Sequence, residues 1–232
     1  MDQRQIYEER ARDYHRLVSR EDCDGNLLPA IEAIRPLKGA SVVEVGAGTG
    51  RLTALMARAG ARVQAVEPAA DMRYEGQAQL KALGLPPGSW SLSDGTGADL
   101  PQEDESADLV IAGWVFGHLR TWHPETWRRE IASCLDEMSR VLGHGGALVI
   151  IETLGTCVDA PAPPNDDLAE YYAWLEEERG MKREVISTDY AFADVGEAAE
   201  LIGFFFGEAR AAQVRSRGQA RVPEFTGLWW TR

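Results

Sequence analysis

The residues with the clearest chemical potential lie in the segment SVVEVGAGTGRL (41–52), where Glu44 is followed by glycines at 46, 48 and 50. Because glycine has no Cβ, such a turn lets the main chain approach a nucleotide-like ligand closely. The dinucleotide-binding fingerprint requires a glycine at position 51, which is Arg51 in this chain. A carboxylate beside a GxGxG turn favours a cationic nucleoside that carries an amino acid over an anionic pyrophosphate.

Two more carboxylates and one histidine follow other apolar segments. Glu67 follows the run VQAV, Asp94 precedes Gly95, and His118 comes shortly after the run ADLVIAG. Asp-Gly is also a strong turn signal, so Asp94 is open to a second interpretation as the start of a turn. His118 is a candidate general base, or else a histidine that packs near a helix N-terminus. Glu44 itself lies inside an apolar run, and a buried carboxylate without a partner is costly.

Hydrophobic periodicity predicts the elements that position these residues. Short apolar runs predict five strands, at 41–45, 62–67, 89–94, 107–113 and 145–152. Segments with helical spacing lie between most of these strands. Strands that are apolar throughout and alternate with helices indicate a parallel sheet covered on both faces. Right-handed crossovers then bring all carboxyl ends to one edge. We therefore expect one cleft, lined by residues 46–50, 67–69, 94–96 and 113–118.

The remaining segments indicate further helices and strands. Apolar spacing predicts a helical segment over 5–36, and NDDLAEYYAWLEEERG (165–180) predicts a capped helix above the cleft. We expect strands at 182–192 and 222–231, joined by a helix that starts at Asp194. The arginine-rich segment 207–221 is expected to be a solvated loop, with a dock for an acidic ligand as the alternative.

The composition limits the classes of partner. The chain has 232 residues and is 44% hydrophobic, and its 24 basic and 37 acidic side chains give a net charge of −13. Such a surface repels nucleic acid and anionic membranes, so neither is expected as a direct partner. The charged opening MDQRQIYEERARDYHRL lacks the apolar centre of a signal peptide, and no apolar run is long enough to span a bilayer. We therefore expect a cytoplasmic protein.

The spacing of cysteines and histidines indicates neither a disulfide nor a metal site. Cys23, Cys134 and Cys157 are widely separated, which is typical of reduced thiols in a reducing compartment. The four histidines, at 15, 118, 123 and 144, form no pair with ligand spacing, so no metal is expected.

The chain resembles the class I S-adenosylmethionine-dependent methyltransferases of the group called methyltransferase type 11. The motifs that carry the resemblance are EVGAGTGRLT (44–53), VEP (66–68), SDGTGADLP (93–101), ADLVIAGWVFGHL (107–119) and GGALVIIE (145–152). The resemblance implies an α/β, Rossmann-like fold with a seven-stranded mixed sheet in the order 3-2-1-4-5-7-6, its last strand antiparallel, and helices on both faces. It implies one domain, divided into an N-terminal helical lid (1–36), a cofactor-binding core (40–152), an inserted lid helix (153–181) and C-terminal strands (182–232).

The resemblance also implies a site for S-adenosylmethionine as the cofactor. Glu44 and the backbone of 46–50 would hold the methionine moiety, and Glu67 would accept hydrogen bonds from both ribose hydroxyls. The adenine would pack near Met72, although a helical methionine is also explained by core packing. The implied cofactor-binding residues are Tyr14, Glu44, Gly46, Ala47, Gly48, Gly50, Glu67, Pro68, Met72, Asp94, Gly95, Thr96, Gly113 and Trp114.

A small molecule is the expected methyl acceptor, because aromatic residues cluster outside the core pattern. The expected contacts to the acceptor are Trp122 and two residues on one face of the inserted helix, Tyr171 and Trp174. Core packing is the alternative interpretation of these aromatic residues. His118 is the candidate base, which is needed only if the acceptor is a hydroxyl, an ammonium or an acidic carbon. The same aromatic residues are compatible with a homodimer.

Two other functions are considered for the same sheet. A nicotinamide-dependent oxidoreductase is disfavoured by Arg51 in the glycine turn and by the lack of a Tyr-x-x-x-Lys pair. The second is a noncatalytic protein that binds S-adenosylmethionine but has no acceptor site.

Overall fold

A computed structural model describes residues 3–232 of the chain. Its strands are β1 (Ser41–Val45), β2 (Arg62–Val66), β3 (Trp90–Ser93), β4 (Ala107–Gly113), β5 (Leu142–Thr156), β6 (Lys182–Ser187), β7 (Tyr190–Ala191), β8 (Arg221–Val222) and β9 (Glu224–Thr231). Its helices are α1 (Gln3–Glu9), α2 (Ala11–Val18), α3 (Leu27–Ile34), α4 (Arg51–Arg58), α5 (Ala70–Ala82), α6 (Phe116–Trp122), α7 (Trp127–Val141), α8 (Asp166–Glu177), α9 (Val195–Phe206) and α10 (Glu208–Arg217).

Seven of the strands form one mixed sheet in the order β3-β2-β1-β4-β5-β9-β6. Strand β9 runs antiparallel to both of its neighbours, whereas β1 to β5 pair in parallel. With β9 as the seventh strand of the predicted set, the predicted order and the single antiparallel strand are confirmed. The short strands β7 and β8 form a separate pair that the sequence analysis did not predict.

The register of the central strands brings their carboxyl ends to one level. Val45, the last residue of β1, pairs with Val66 of β2 and with Ala112 of β4. Residues just beyond these positions therefore meet at one edge, as a parallel sheet requires.

Helices cover both faces of this sheet because consecutive strand residues point to opposite sides. Val42 packs in a core with helices α3 and α4, and its neighbour Val43 packs in a second core with α7 and α8. A third, smaller core joins α2, α9 and α10 through Leu17, Ile202 and Val214. This third core ties the N-terminal helices to the C-terminal part of the chain.

The predicted helix over 5–36 is instead three helices. Asp22 interrupts it in the left-handed region, with φ +58°. Its carboxylate accepts the backbone N–H groups of Asn26 at 2.8 Å and Leu27 at 3.1 Å. A short acidic side chain thus satisfies the free donors at the start of α3, which explains a new helix at this point.

The predicted loop over 207–221 contains α10. Ala211 and Val214 on one face of this helix are buried, and an added Cβ on Gly203 of α9 would lie 2.9 Å from the Cβ of Ala211. Arg215 and Arg217 are exposed, and Arg215 pairs with Glu208. Close packing of two helices through a glycine therefore outweighs the polar composition of the segment.

Within residues 3–232, every helix is too short or too polar to cross a membrane. The three cysteines are free thiols. The same residues hold no group of three or more histidine, cysteine or acidic side chains with the geometry of a metal site.

Helix α5 touches the glycine turn at Gly76, which leads to a first prediction. A Cβ at this position would lie 3.0 Å from the carbonyl oxygen of Gly48 and 2.9 Å from a methyl group of Leu92. At an exposed helical position Gly→Ala stabilises by about 1 kcal/mol. Here we expect Gly76→Ala to lower the free energy of unfolding by about 1–3 kcal/mol, because the main chain of the turn must shift. Urea unfolding measures the change.

Ala78→Gly is the control for this prediction, since Ala78 is exposed on the same helix. It should cost about 1 kcal/mol through helix propensity alone. A Gly76→Ala variant more stable than the parent protein would contradict the close packing of α5 on the turn.

Candidate functional site

A cavity of about 990 Å³ lies at the carboxyl edge of the sheet. Its walls include the turn after β1, the end of β2 at Glu67 and the segment after β4 that begins with Trp114. Helices α1 and α2 cover it with Tyr7 and Tyr14. The cleft predicted from the strand ends is therefore a covered cavity.

The glycine turn forms the floor of this cavity. Its backbone conformation and the close approach of neighbouring side chains both require glycine. Gly46, Gly48 and Gly50 have φ values of +69°, +55° and +81°, all in the left-handed region. A Cβ on Gly46 would lie 2.4 Å from the side chain of Val115. Side chains at 46 and 48 would narrow the space in which a ligand meets the main chain.

Glu67 is held at the end of β2 by backbone donors. Its Oε2 accepts the N–H of Gly48 and its Oε1 accepts the N–H of Ala69, both at 2.9 Å. Burial raises the pKa of the carboxyl above its usual value, and these two hydrogen bonds oppose the rise. Each oxygen keeps a lone pair for a further donor, so the carboxylate is fixed in place and still able to bind a ligand.

Glu44 lines the same cavity from within β1. The hydroxyl of Thr53 donates to its Oε2 at 2.5 Å, and burial raises the pKa of this carboxyl to about 8. At neutral pH the group is therefore mostly protonated in the free protein. A cation in the cavity would favour the charged carboxylate.

Trp114 is placed at the junction of strand and cavity by an unusual backbone conformation. Its φ is +57°, which is uncommon for a bulky residue, and its N–H donates to the carbonyl of Ile151 at 2.6 Å. The guanidinium of Arg51 lies 4.1 Å from the centre of its indole ring and 2.8 Å from Glu21. Arg51 is thus a half-buried cation beside the glycine turn.

Tyr7, His118 and Trp122 form an aromatic group on the covered side. The hydroxyl of Tyr7 and Nε2 of His118 share a hydrogen bond of 2.7 Å, and the imidazole stacks on Trp122 with ring centres 5.1 Å apart. Burial lowers the pKa of His118 to about 4. The imidazole is therefore neutral at physiological pH, and its Nε2 is already engaged.

Tyr14 contacts the turn from above. One of its ring carbons lies 4.0 Å from the point where a Cβ of Gly48 would stand. The next residue, His15, makes a hydrogen bond of 2.9 Å from Nδ1 to the hydroxyl of Thr49. These contacts position α2 against the glycine turn.

Most of the predicted site residues line this one cavity. They are Tyr14, Glu44, Gly46, Ala47, Gly48, Glu67, Pro68, Met72, Thr96, Gly113, Trp114, His118 and Trp122.

Three predicted cofactor residues lie outside the cavity wall. Gly50 is the N-cap of α4, with its free side toward Leu80. The Asp94 side chain is 76% exposed and pairs with Arg73 at 2.8 Å. Gly95 packs against Val66. The structure thus assigns Gly50 and Gly95 to backbone geometry and close packing.

Tyr171 and Trp174, predicted as acceptor contacts, lie in the core instead. They are 0% and 5% exposed and pack edge-on against Trp127 of α7, with ring centres 6.0 and 5.5 Å away. Helix α8 therefore belongs to the layer that covers the sheet. Its aromatic face packs against α7, which is why Tyr171 and Trp174 do not reach the cavity. The core-packing alternative considered for these two residues fits their positions.

Some residues of the site were not predicted from the sequence. Tyr7 gave no signal, because a tyrosine in a polar amphipathic helix resembles a surface residue. Arg51 was noted only as a missing glycine.

Comparison with known proteins agrees with this geometry. Residues 43–150 match the family model of the methyltransferase domain. An uncharacterized methyltransferase of Bacillus licheniformis is 31% identical over 116 residues, which are 50% of this chain and 48% of that protein. The chain thus spans about half the length of the curated relatives it matches.

Solved structures share the fold at lower identity. An S-adenosylmethionine-dependent methyltransferase from Aquifex aeolicus is 13% identical with a TM-score of 0.53, covering 97% of this chain and 93% of that one. A precorrin 8W decarboxylase from Methanobacterium thermoautotrophicum is 16% identical with a TM-score of 0.54, covering 89% of each chain. Residues 43–150 are therefore similar to the methyltransferase domain family, and the chain shares its fold with S-adenosylmethionine-dependent methyltransferases.

Proposed function

We propose that the protein transfers a methyl group from S-adenosylmethionine to a small-molecule acceptor. The observation that carries the proposal is the hydrogen bond between Glu67 and the N–H of Gly48. This hydrogen bond holds two binding groups together in one covered cavity. The carboxylate of Glu67 is suited to the ribose of the cofactor, and the exposed main chain of the turn is suited to its amino-acid part.

The residues in the cavity fit the cofactor. Among residues 3–232, the hydroxyl of Thr53 is the hydrogen-bond donor to the buried Glu44 carboxyl, so a ligand ammonium would give it a second partner. Met72 lies next to Gly48, where a Cβ would be 3.3 Å from its methyl group, and offers an apolar surface for adenine. We propose Glu44, Glu67 and the backbone of 46–48 as the principal holders, with Tyr14 as the cover.

The cofactor, when bound, supplies an electrophilic methyl group on a sulfonium. What the chain supplies is position and a dry site, because α1 and α2 close the cavity over the glycine turn. For a neutral acceptor the positive charge is spread and not created, so a dry cavity does not oppose the reaction. His118 is neutral, and its Nε2 is hydrogen-bonded to the hydroxyl of Tyr7. It is therefore better suited to position Tyr7 and Trp122 than to remove a proton.

The helices that cover the cavity and the net charge of the chain both support a small acceptor. A site beneath two helices excludes a folded macromolecule unless the helices move. The net charge of −13 disfavours a nucleic acid acceptor. A cytoplasmic location and a homodimer stay predictions from the sequence.

Calorimetry with S-adenosylhomocysteine and with NADH tests the proposal, because the two ligands separate the methyltransferase from the oxidoreductase alternative. We expect binding of S-adenosylhomocysteine only. No heat with S-adenosylhomocysteine would overturn the proposal. Retained binding without turnover on any acceptor would favour the noncatalytic alternative.

Glu67→Gln should weaken the binding of S-adenosylhomocysteine about tenfold or more, because it removes charge-assisted hydrogen bonds to the ribose. Titration calorimetry at pH 7.5 measures the dissociation constant. The thermal unfolding of the free variant checks that the turn is intact, since Glu67 also binds Gly48 and Ala69.

Asp94→Asn is the comparison variant, because it removes a carboxylate at the next strand end that is exposed and paired with Arg73. Its affinity for S-adenosylhomocysteine should change less than that of Glu67→Gln. Equal losses in the two variants would shift the nucleoside contact toward Asp94.

His118 should stay neutral throughout the pH range in which the protein works. With a pKa of about 4 set by burial, its imidazole should show no titration between pH 5.5 and 8 in NMR spectra of histidine-labelled protein. The His118→Gln variant assigns the signal among the four histidines. A midpoint above pH 6 would restore His118 as a general base.

A further inference from the structure

A second cavity, of about 320 Å³, adjoins the first one. Both cavities are lined by Tyr7, Tyr14, Arg51, Trp114 and His118, so they meet at this aromatic boundary. The far wall of the second cavity comes from the end of β5, the start of β9 and helix α9. Nothing in the proposed cofactor site uses this space.

The polar part of that far wall is acidic and buried. Glu152 and Glu224 are 3% and 2% exposed, and the side chain of Glu21 is 4% exposed. Burial raises the pKa of Glu152 and that of Glu224 to about 8, and it also raises the pKa of Glu21. Three carboxyl groups thus face one small space away from water.

Two of these three carboxyl groups are incompletely satisfied by the residues that the structure describes. Glu152 accepts the N–H of Gly117 at 2.9 Å, and Oε1 of Glu224 accepts the hydroxyl of Thr153 at 2.5 Å. Oε2 of Glu224 and Oε1 of Glu21 are buried and accept no hydrogen bond within residues 3–232. Buried acceptors without donors are costly, which indicates that a ligand or water supplies the missing N–H or O–H groups.

The cations on the wall are too few to balance these acids. Arg51 is 2.8 Å from the second oxygen of Glu21, which also accepts the hydroxyl of Tyr190 at 3.2 Å. Arg210, on α10, donates to Gln213 of its own helix at 2.8 Å. Within residues 3–232, Glu152 and Glu224 therefore have hydrogen bonds but form no salt bridge with an arginine or lysine.

The rest of the wall is aromatic. Tyr190, Phe205 and Phe206 contribute apolar surface opposite the shared residues Tyr14 and Trp114. A ligand that fits this cavity has an apolar or flat body and a group with several donors.

We propose that the second cavity binds the amino group of the methyl acceptor, so that the acceptor is a small amine held by Glu152 and Glu224. Before the nitrogen accepts a methyl group, the bound ammonium gives one proton to one of these carboxylates, which restores the nitrogen lone pair. The inference rests on the proposed function, since it names the acceptor class of that reaction. An ammonium supplies up to three donors and a positive charge, which match the two carboxylates and the oxygen of Glu224 that accepts no hydrogen bond within residues 3–232. An anionic acceptor would be repelled, and a neutral alcohol would satisfy fewer of these oxygens.

Calorimetry with matched pairs of probes tests the inference on protein saturated with S-adenosylhomocysteine. The pairs are butylamine and butanol, phenethylamine and 2-phenylethanol, and tryptamine and tryptophol. We expect at least one amine to bind about tenfold or more tightly than its alcohol, because charge-assisted hydrogen bonds replace neutral ones. If no amine exceeds its alcohol, the inference is overturned.

Two isosteric variants locate the contact. Glu152→Gln and Glu224→Gln should each lower amine affinity about tenfold and leave the affinities for the alcohol and for S-adenosylhomocysteine nearly unchanged. Glu200→Gln, which removes an exposed acid on α9, is the control for net charge and should change none of them. Equal loss of amine and alcohol binding in both variants would assign these glutamates a purely structural role.

Proton release gives an independent readout. Carboxyl groups with a pKa of about 8 are mostly protonated at pH 7, and a bound ammonium favours their charged form. Amine binding at pH 7 should therefore release protons, measured as a difference in heat between phosphate and Tris buffers, whereas alcohol binding should release none. Failure of S-adenosylhomocysteine to bind would overturn the proposed function, whereas its binding without amine preference or proton release would overturn this inference alone.

Discussion

The parallel hydrogen bonding of β1 with β2 and β4 is the constraint on which the rest of the structure depends. Because Val45 pairs with both Val66 and Ala112, three strands end at one level. The glycine turn begins one residue beyond that level, and Glu67 and Trp114 lie one and two residues beyond it, so that all three line a single cavity. A slip of one residue would turn every side chain of a strand to the other face, and the 2.9 Å contact between Glu67 and Gly48 would be lost.

Buried carboxyl groups are the main energetic cost of this arrangement. Glu44 and Glu152 each lie in the interior and accept hydrogen bonds, but neither forms a salt bridge within residues 3–232, and burial raises the pKa of each to about 8. A group whose pKa rises on folding favours the folded state only while it stays protonated, so the free protein loses stability as the pH rises from about 4.5 toward 8. A core built for stability alone would use apolar residues at these positions. Their presence around connected cavities is consistent with binding sites for cationic groups.

The cover over the site depends on contacts between distant parts of the chain. Helix α2 is fixed to the glycine turn through His15 and Thr49, and Leu17 packs with α9 and α10 in the third core. Phe205 of α9 lies 6.4 Å from Tyr7 and 5.5 Å from Tyr14, measured between ring centres. The N-terminal and C-terminal segments therefore close the cavity together, whereas α8 packs into the sheet layer and contributes only its first turn to the second cavity.

The pattern of residues along the chain was enough to predict the sheet, the glycine turn and the carboxylates at the strand ends. Strand periodicity and the turn at 46–50 are local, and the chirality of crossovers then leaves little choice for where Glu67 and Trp114 lie. Which aromatic residues face the cavity, and which carboxylates share it, could be learned only from the folded packing. Tyr171 and Tyr7 lie on similar amphipathic helices, yet one is in the core and the other covers the site, because the packing partners of a helix come from distant segments. Glu152 and Glu224 likewise line one cavity only because β9 inserts beside β5. That contact joins residues about 70 positions apart, and no local pattern specifies it.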